Sequence, residues 1–377
     1  MSSSTESSTQ DFAVIALLDD CKESDGEKSE VDFKNALRVA LESPKELRQS
    51  HNMLPIANFS ISRFEKDFEK GKCIGQGGFG KVYQCESLLD KQSYAIKEIR
   101  LKSKDVEELE KQIMECRNHA QFVHLNIVRY YDAWLECDNS SSIFTTHVLY
   151  IKMELCNDTL ENYIQKRMTG VYKYYYGFDQ KVMTSLIRAI EFLHGKRVIH
   201  RDIKPNNIFI KSNDGQDTIL LGDFGRARNI QAEKFSADTD SSSGMSSNVG
   251  TFLYSAPELS SNNYTQSVDI YSIGVVLYDL FNASYTREER IVKLNELRDN
   301  GKPSNEFSFR FPEIARIIHS MVSTKPDKRP HAKKLLTECK SLEEIERDEM
   351  DLLTGKTPIP NKSVDIMRQF IVPRYGM

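Results

Sequence analysis

The chain has 377 residues, 39% hydrophobic and 28% charged, with a formal net charge of −4 from 51 basic and 55 acidic side chains. This is the composition of a folded globular protein with a sizeable core, and it excludes a protein that grips nucleic acid through bulk charge, though not a local basic patch. No run of about 18 apolar residues occurs, so no membrane span is expected. The Ser/Thr-rich start lacks the apolar stretch of a signal peptide, and the seven dispersed cysteines read as thiols of a reducing compartment, so a cytoplasmic location is the expectation.

In chain order, residues 1–10 read as disordered. Residues 11–20 and 31–48 read as short helices, the second with Phe33, Ala36, Leu37, Val39 and Leu41 near one face. They form either a small regulatory module or a loose extension. From about 64 the pattern turns to strands, with alternation at 81–85 and β-branched or aromatic runs at 93–99 and 148–155; a charged helix is expected at 103–119. After 156 helices dominate, at 158–167, 178–195, 265–282, 286–298, 312–323 and 331–338. A capping box, Ser341 and Glu344, opens one more at 340–353. The domain reading is an N-terminal extension at 1–60, a main domain at 61–339 with an N-lobe at 61–155 and a C-lobe at 156–339, and a helix and tail at 340–377. The fold class is α+β.

The chemistry concentrates in two segments. Residues 200–207 read His-Arg-Asp-Ile-Lys-Pro-Asn-Asn, and 222–225 read Gly-Asp-Phe-Gly. Phosphoryl transfer asks a protein for positioning and charge neutralisation more than for covalent chemistry. Asp202 supplies a carboxylate to accept a hydroxyl proton, and Lys204 a cation for the transferring phosphate. Asn207 and Asp223 supply hard oxygen ligands for Mg²⁺. Lys204 followed by Pro205 points to serine or threonine acceptors. A plain loop of caps and surface charges is the bland alternative to these roles, and either motif alone is compatible with it.

Gly75, Gly77 and Gly80 form a G-x-G-x-x-G pattern with Gly78 inside it and Val82 beyond. A strand pattern follows it rather than a helix, so a phosphate-covering hairpin fits better than a dinucleotide-binding turn. Lys97 ends an apolar strand, where a charge needs partners: nucleotide phosphates and a helix glutamate. Glu115 is the choice, over Glu107, Glu108 and Glu110, which line the solvated face. Met153-Glu154-Leu155-Cys156 marks a hinge, where backbone groups of Glu154 and Cys156 meet adenine and Met153 backs the pocket. Ala256-Pro257-Glu258 closes a Ser/Thr-rich loop in which Thr251 and Thr239 are candidate phosphorylation sites, with Arg201 the expected phosphate partner. Glu258 is expected to pair with Arg329, and Asp269 to cap backbone near His200 and Arg201.

Across residues 68–338 these motifs resemble a eukaryotic protein kinase of the Ser/Thr type. The resemblance implies the bilobal protein-kinase fold, with a small β-rich N-lobe and a larger helical C-lobe. It also implies ATP and Mg²⁺ as cofactors and nucleotide contacts at Ile74, Gly75, Gly77, Gly78, Gly80, Val82, Ala95, Lys97, Met153, Glu154 and Cys156. His124-Leu125-Asn126-Ile127-Val128, the strand to Glu136 and the segment 151–156 resemble, more narrowly, the kinases of the translation initiation factor two α-subunit, nearest their haem-regulated branch by kinase domain. That likeness implies control of translation under stress, homodimerisation on activation through reciprocal pairs of Arg63 and Asp67, and a substrate-docking helix at 286–298. Two features depart from the family: only about a dozen residues, 136–147, stand where a long acidic insert is common, and Arg226 follows Asp-Phe-Gly where an apolar residue is usual. No known sensor module is recognisable. The alternatives are a Ser/Thr kinase with another signalling or cell-cycle substrate, and a catalytically silent scaffold.

Overall fold

The computed structural model describes residues 62–77, 80–101, 116, 119–138, 146–172, 176–229, 249–260, 264–282 and 286–340. The helices expected at 11–20 and 31–48, the helix expected at 340–353 beyond its first residue, almost all of 103–119 with Glu115, and Gly78 and Thr239 lie outside the described residues. The chain divides into two compact units: residues 1–122 with 129–155, and residues 123–128 with 156–377.

The first unit opens with a short helix, α1 (Arg63–Asp67), where strand was expected. Ser62 caps it, its hydroxyl accepting from Glu65 N at 3.3 Å, and Phe64 turns into the core. Five strands follow: β1 (Phe68–Gly77), β2 (Gly80–Ser87), β3 (Ser93–Leu101), β4 (Tyr130–Asp138) and β5 (Thr146–Glu154). They form one antiparallel sheet in the order β1-β2-β3-β5-β4.

Side chains alternate across this sheet. One face buries Ile99, Cys116, Ala133, Leu149 and Ile151. The other buries Phe64, Phe68, Cys85, Ile96, Trp134, Val148 and Tyr150. Aromatic rings stack along this second face, Phe64 on Tyr150 at 4.8 Å and Phe68 on Trp134 at 5.7 Å. Lys152 lays its ammonium 3.6 Å from the Tyr94 ring. Each large apolar side chain buried here contributes about 1.5–3 kcal/mol of transfer free energy.

The second unit is mainly helical: α2 (Leu160–Met168), α3 (Tyr176–Gly195), α4 (Val249–Tyr254), α5 (Ser267–Phe281), α6 (Arg287–Asn300), α7 (Asn305–Arg310), α8 (Pro312–Met321) and α9 (332–340). Every residue of α5 after Ser267 is buried, so this helix is the centre of the unit. Helices dominate as expected, and short strands not expected from the sequence accompany them. The unit also holds a three-stranded sheet of β6 (Asp158–Thr159), β8 (Ile208–Asn213) and β9 (Gln216–Leu221), and a two-stranded pair of β7 (Val198–Ile199) with β10 (Arg228–Asn229). The β8–β9 hairpin turns at Asp214 and Gly215, both at positive φ (49° and 78°), the geometry an Asp-Gly pair favours.

Residues 123–128 belong to this second unit although their sequence neighbours belong to the first. Val128 N donates to Leu221 O and Leu221 N to Asn126 O, each at 2.9 Å, and the buried Asn126 amide donates to Ile219 O at 3.0 Å. This segment is thus stitched along β9.

Candidate active site

In the first unit, Lys97 lies opposite Val82 on β2 and Ile151 on β5, while Ala95 lies opposite Met153. Period-two alternation therefore puts Val82, Ala95, Lys97 and Met153 on one face of the sheet. Gly75 faces Val82, and Gly77 faces Gly80 across the turn of the glycine-rich hairpin. Gly80 sits at φ +122°, and a Cβ there would collide with the carbonyl oxygen of Glu98, so only glycine lets β2 approach β3 this closely. Ile74 is largely exposed on β1. Glu154 N donates to Arg129 O at 2.9 Å, while its carboxylate accepts from Arg129 N at 3.2 Å, which pins the end of β5. Cys156 is half-buried at the start of the second unit.

In the second unit the candidate base and its neighbours come together. Asp202 is buried. Its Oδ2 accepts from Lys204 Nζ at 2.8 Å and from Asn207 Nδ2 at 2.9 Å; its Oδ1 receives one longer contact, from Lys204 at 3.1 Å. Asn207 Nδ2 also donates to Asp202 O at 2.8 Å. With its amide nitrogen engaged, Asn207 keeps the carbonyl Oδ1 as its acceptor atom. Gly222 N donates to Asn207 O at 3.0 Å, which fixes the residue before Asp223 against the same turn.

His200 ties the two segments together. Its Nδ1 accepts from Asp202 N at 3.3 Å, and Nε2 lies 3.2 Å from Gly222 O. A backbone N–H only donates, so the proton sits on Nε2, and one tautomer satisfies both bonds. The ring lies 5.0 Å from that of Phe224, which is buried. Gly222 has no room for a side chain: a Cβ would meet Val128 Cγ2 at 2.7 Å and Phe209 Cε2 at 2.9 Å. Arg201 and Asp223 both occupy the left-handed region, at φ 67° and 60°. Two non-glycine residues held there cost about 1–3 kcal/mol each, a strain that the surrounding bonds must hold.

Asp269 supplies much of that hold. It is fully buried near the start of α5, with Oδ2 accepting from His200 N and Oδ1 from Arg201 N, both at 2.9 Å, and with His194 Nε2 also 2.9 Å from Oδ2. Burial alone would push its carboxyl up; the hydrogen bond and charge of His194 and the backbone N–H of His200 outweigh this and hold it below its ordinary value. The expected Glu258–Arg329 pair is present and bidentate, with Arg329 fully buried; Arg329 also donates to Ser267 O at 3.1 Å.

Two partners had no sequence signal. Tyr264 OH accepts from Arg201 Nη1 at 2.7 Å and from Arg228 Nη1 at 3.4 Å. Arg226, the departure from the usual apolar residue, accepts through its backbone O from Arg201 Nε at 2.5 Å. Thr251 falls in α4. Arg63 is engaged within its own chain, with Nε 3.3 Å from Asp67 Oδ2, Nη2 2.5 Å from Asp132 Oδ2 and the guanidinium 4.5 Å over the Trp134 ring.

Asn207 and Asp223 offer two oxygen ligands, and among the described residues no group of three or more His, Cys, Asp or Glu side chains converges on one point. That donor set fits a hard cation that arrives with phosphate and water oxygens as its other ligands.

The family model for the protein kinase domain matches residues 68–339. The chain is 34% identical to the eIF-2-alpha kinase GCN2 of Arabidopsis thaliana over 75% of its length and 25% of that protein's. It is 31% identical to the interferon-induced, double-stranded RNA-activated protein kinase of Mus musculus, over 73% of its own length and 51% of that protein's. It is 29% identical to the membrane-associated tyrosine- and threonine-specific cdc2-inhibitory kinase of Drosophila melanogaster, over 76% and 49%. The chain thus spans between a quarter and about half the length of these relatives. Its own sequence motifs, the sheet and helical units that carry them and the match over 68–339 place the chain in the protein kinase family, with a likeness to an eIF-2-alpha kinase and to a double-stranded RNA-activated protein kinase.

Proposed function

We propose that the enzyme uses ATP and Mg²⁺ to phosphorylate a serine on the α-subunit of translation initiation factor two, acting in the cytoplasm to slow initiation under stress. The observation that carries the catalytic half is the buried Asp202 carboxylate, held through Oδ2 by Lys204 and Asn207 with one longer Lys204 contact at Oδ1. The likeness to kinases named for this substrate supports the other half.

In this reading Oδ1 of Asp202 receives the hydroxyl proton as the oxygen attacks, and Lys204 offsets charge on the transferring phosphoryl group. Asn207 and Asp223 hold Mg²⁺, which neutralises the phosphates. Lys97, paired with Glu115, holds the α- and β-phosphates. Gly75, Gly77, Gly78 and Gly80 bring backbone N–H groups over them, and Ile74, Val82, Ala95, Met153, Glu154 and Cys156 receive the adenine. Arg201, with Arg228 beside it on Tyr264, receives a phosphate added at Thr239 or Thr251. Arg63 and Asp67 pair reciprocally between two copies.

A second reading, a kinase for a cell-cycle target, draws support from the cdc2-inhibitory relative. Incubation with labelled ATP, Mg²⁺ and the recombinant α-subunit separates the two. Labelling of one serine on the subunit is the expected result. Strong labelling of a generic acceptor with none on the subunit favours the second reading, and no labelling of either favours a silent scaffold.

A further inference from the structure

Helix α5 carries a second buried acid, Asp279, ten residues beyond Asp269 and so about 15 Å along the helix axis. Asp269 holds the segment that carries the candidate base. Asp279 holds something else. Its Oδ1 accepts from Arg290 Nε at 2.9 Å, and its Oδ2 from Arg290 Nη2 at 2.8 Å and from Tyr254 OH at 2.7 Å. The same Arg290 donates Nη1 and Nη2 to the two oxygens of Glu161, each at 2.7 Å, and Nη2 also donates to Tyr254 OH at 2.9 Å.

One guanidinium from α6 therefore joins three other elements: α2 through Glu161, α5 through Asp279 and α4 through Tyr254. Arg290, Asp279 and Tyr254 are all buried. The two carboxylates share this guanidinium, the charge of Arg287 also acts on Glu161, and neutral donors add bonds, Tyr254 OH on Asp279 and Gln165 Nε2 on Glu161 at 2.9 Å. Burial, reinforced by the charge on Asp279, pushes the Tyr254 phenol well above its ordinary range, so it remains a donor. The planar fork meets both carboxylates through paired N–H contacts, a geometry the point charge of an ammonium does not reproduce.

A second arginine repeats the pattern one turn from the end of α6. Arg298 Nη1 donates to Leu253 O at 2.9 Å and Ser255 O at 2.6 Å, and its guanidinium lies 4.8 Å from the ring of Phe252. Phe252 and, on α6, Val292 remain exposed. Segment 252–255 and α6 thus form one body clamped on α5, the helix that also anchors the catalytic segment.

We propose that Arg290 is a positioning residue that fixes α6 and segment 249–255 as a single acceptor-facing surface, and so sets where a docked protein presents its hydroxyl to Asp202. The kinetic part rests on reading α6 as the docking helix; the mechanical part does not.

Two mild variants of the full chain test it. Tyr254→Phe removes one hydroxyl, and Arg290→Lys keeps the charge but loses the fork. Hydrogen exchange of the free enzyme is expected to rise together at 249–255 and 287–300 in both variants, with 200–207 unchanged. With the recombinant α-subunit as acceptor, KM is expected to rise about tenfold, while KM for ATP and kcat/KM for a short peptide spanning the labelled serine stay within about twofold. Exchange that changes in only one of the two segments overturns the proposal. So does a parallel loss on subunit and peptide with a fall in ATP affinity, which marks a purely structural role. The exchange arm needs no acceptor, so failure of the α-subunit as a substrate leaves the clamp decidable by itself.

Discussion

At the scale of single residues, the site is a set of donors arranged around one carboxylate. Asp202→Asn keeps the shape and removes the proton acceptor, so kcat is expected to fall about 10²–10⁴-fold with little change in KM for ATP, measured by steady-state phosphate transfer. Asp269 acts at one remove. Replacing it by Asn weakens the bonds to the N–H groups of His200 and Arg201 at buried positions, and a loss of roughly 2–4 kcal/mol is expected in urea unfolding near neutral pH. The sign of the pH dependence follows from its lowered value. A carboxyl depressed in the folded state stabilises above its unfolded value of about 3.9 and loses that contribution as pH falls through the folded value, so the gap between wild type and Asp269→Asn is expected to close below about pH 4. Asp202, Lys204, Asn207 and Asp269 were legible because their chemistry is tied to fixed spacings. Tyr264 and His194 were not: an aromatic hydroxyl that joins two arginines, and a histidine that reaches an acid 75 residues on, leave no local trace.

At the scale of elements, the glycine-rich hairpin shows how backbone geometry enters the site. Gly80→Ala puts a methyl group into the Glu98 carbonyl at a φ that side chains avoid, so β2 must move off β3. A loss of about 1–3 kcal/mol and a several-fold rise in KM for ATP are expected, read by thermal unfolding and initial rates. The strand pattern of β2, β3 and β5 was legible from alternation, and the long helices from their apolar stripes. The β8–β9 hairpin has a strong turn signal at Asp214-Gly215, but the polar runs 211–213 and 216–218 beside the turn carry no apolar alternation to mark strands. Residues 123–128 show the opposite limit. Their sequence sits amid the strands of the sheet unit, but their hydrogen bonds run to β9, and no local pattern reports a partner about 90 residues away. The short α1 was read as strand because Phe64 and Phe68 suit either state; the Ser62 cap decides it.

At the scale of the whole molecule, the proposed pairing of two copies turns on Arg63 and Asp67. Arg63 and Asp67 bond within one chain, yet both side chains remain about two fifths exposed and within reach of a partner. An exposed pair contributes only about 0–1 kcal/mol, so a reciprocal pair adds orientation more than affinity. Arg63→Asp alone is expected to weaken both self-association in sedimentation and trans-autophosphorylation, and Arg63→Asp with Asp67→Arg to restore both; a double variant as impaired as the single one marks these as ordinary surface charges. The chain also contains a single tryptophan. Trp134 is buried among the stacked rings of the sheet unit, its Nε1–H held by Glu136 at 2.6 Å and its face beneath Arg63. Excitation at the red edge of the ultraviolet therefore yields emission from the sheet unit alone, and a spectral shift on dilution or heating registers events beside Arg63 while the helical unit stays dark.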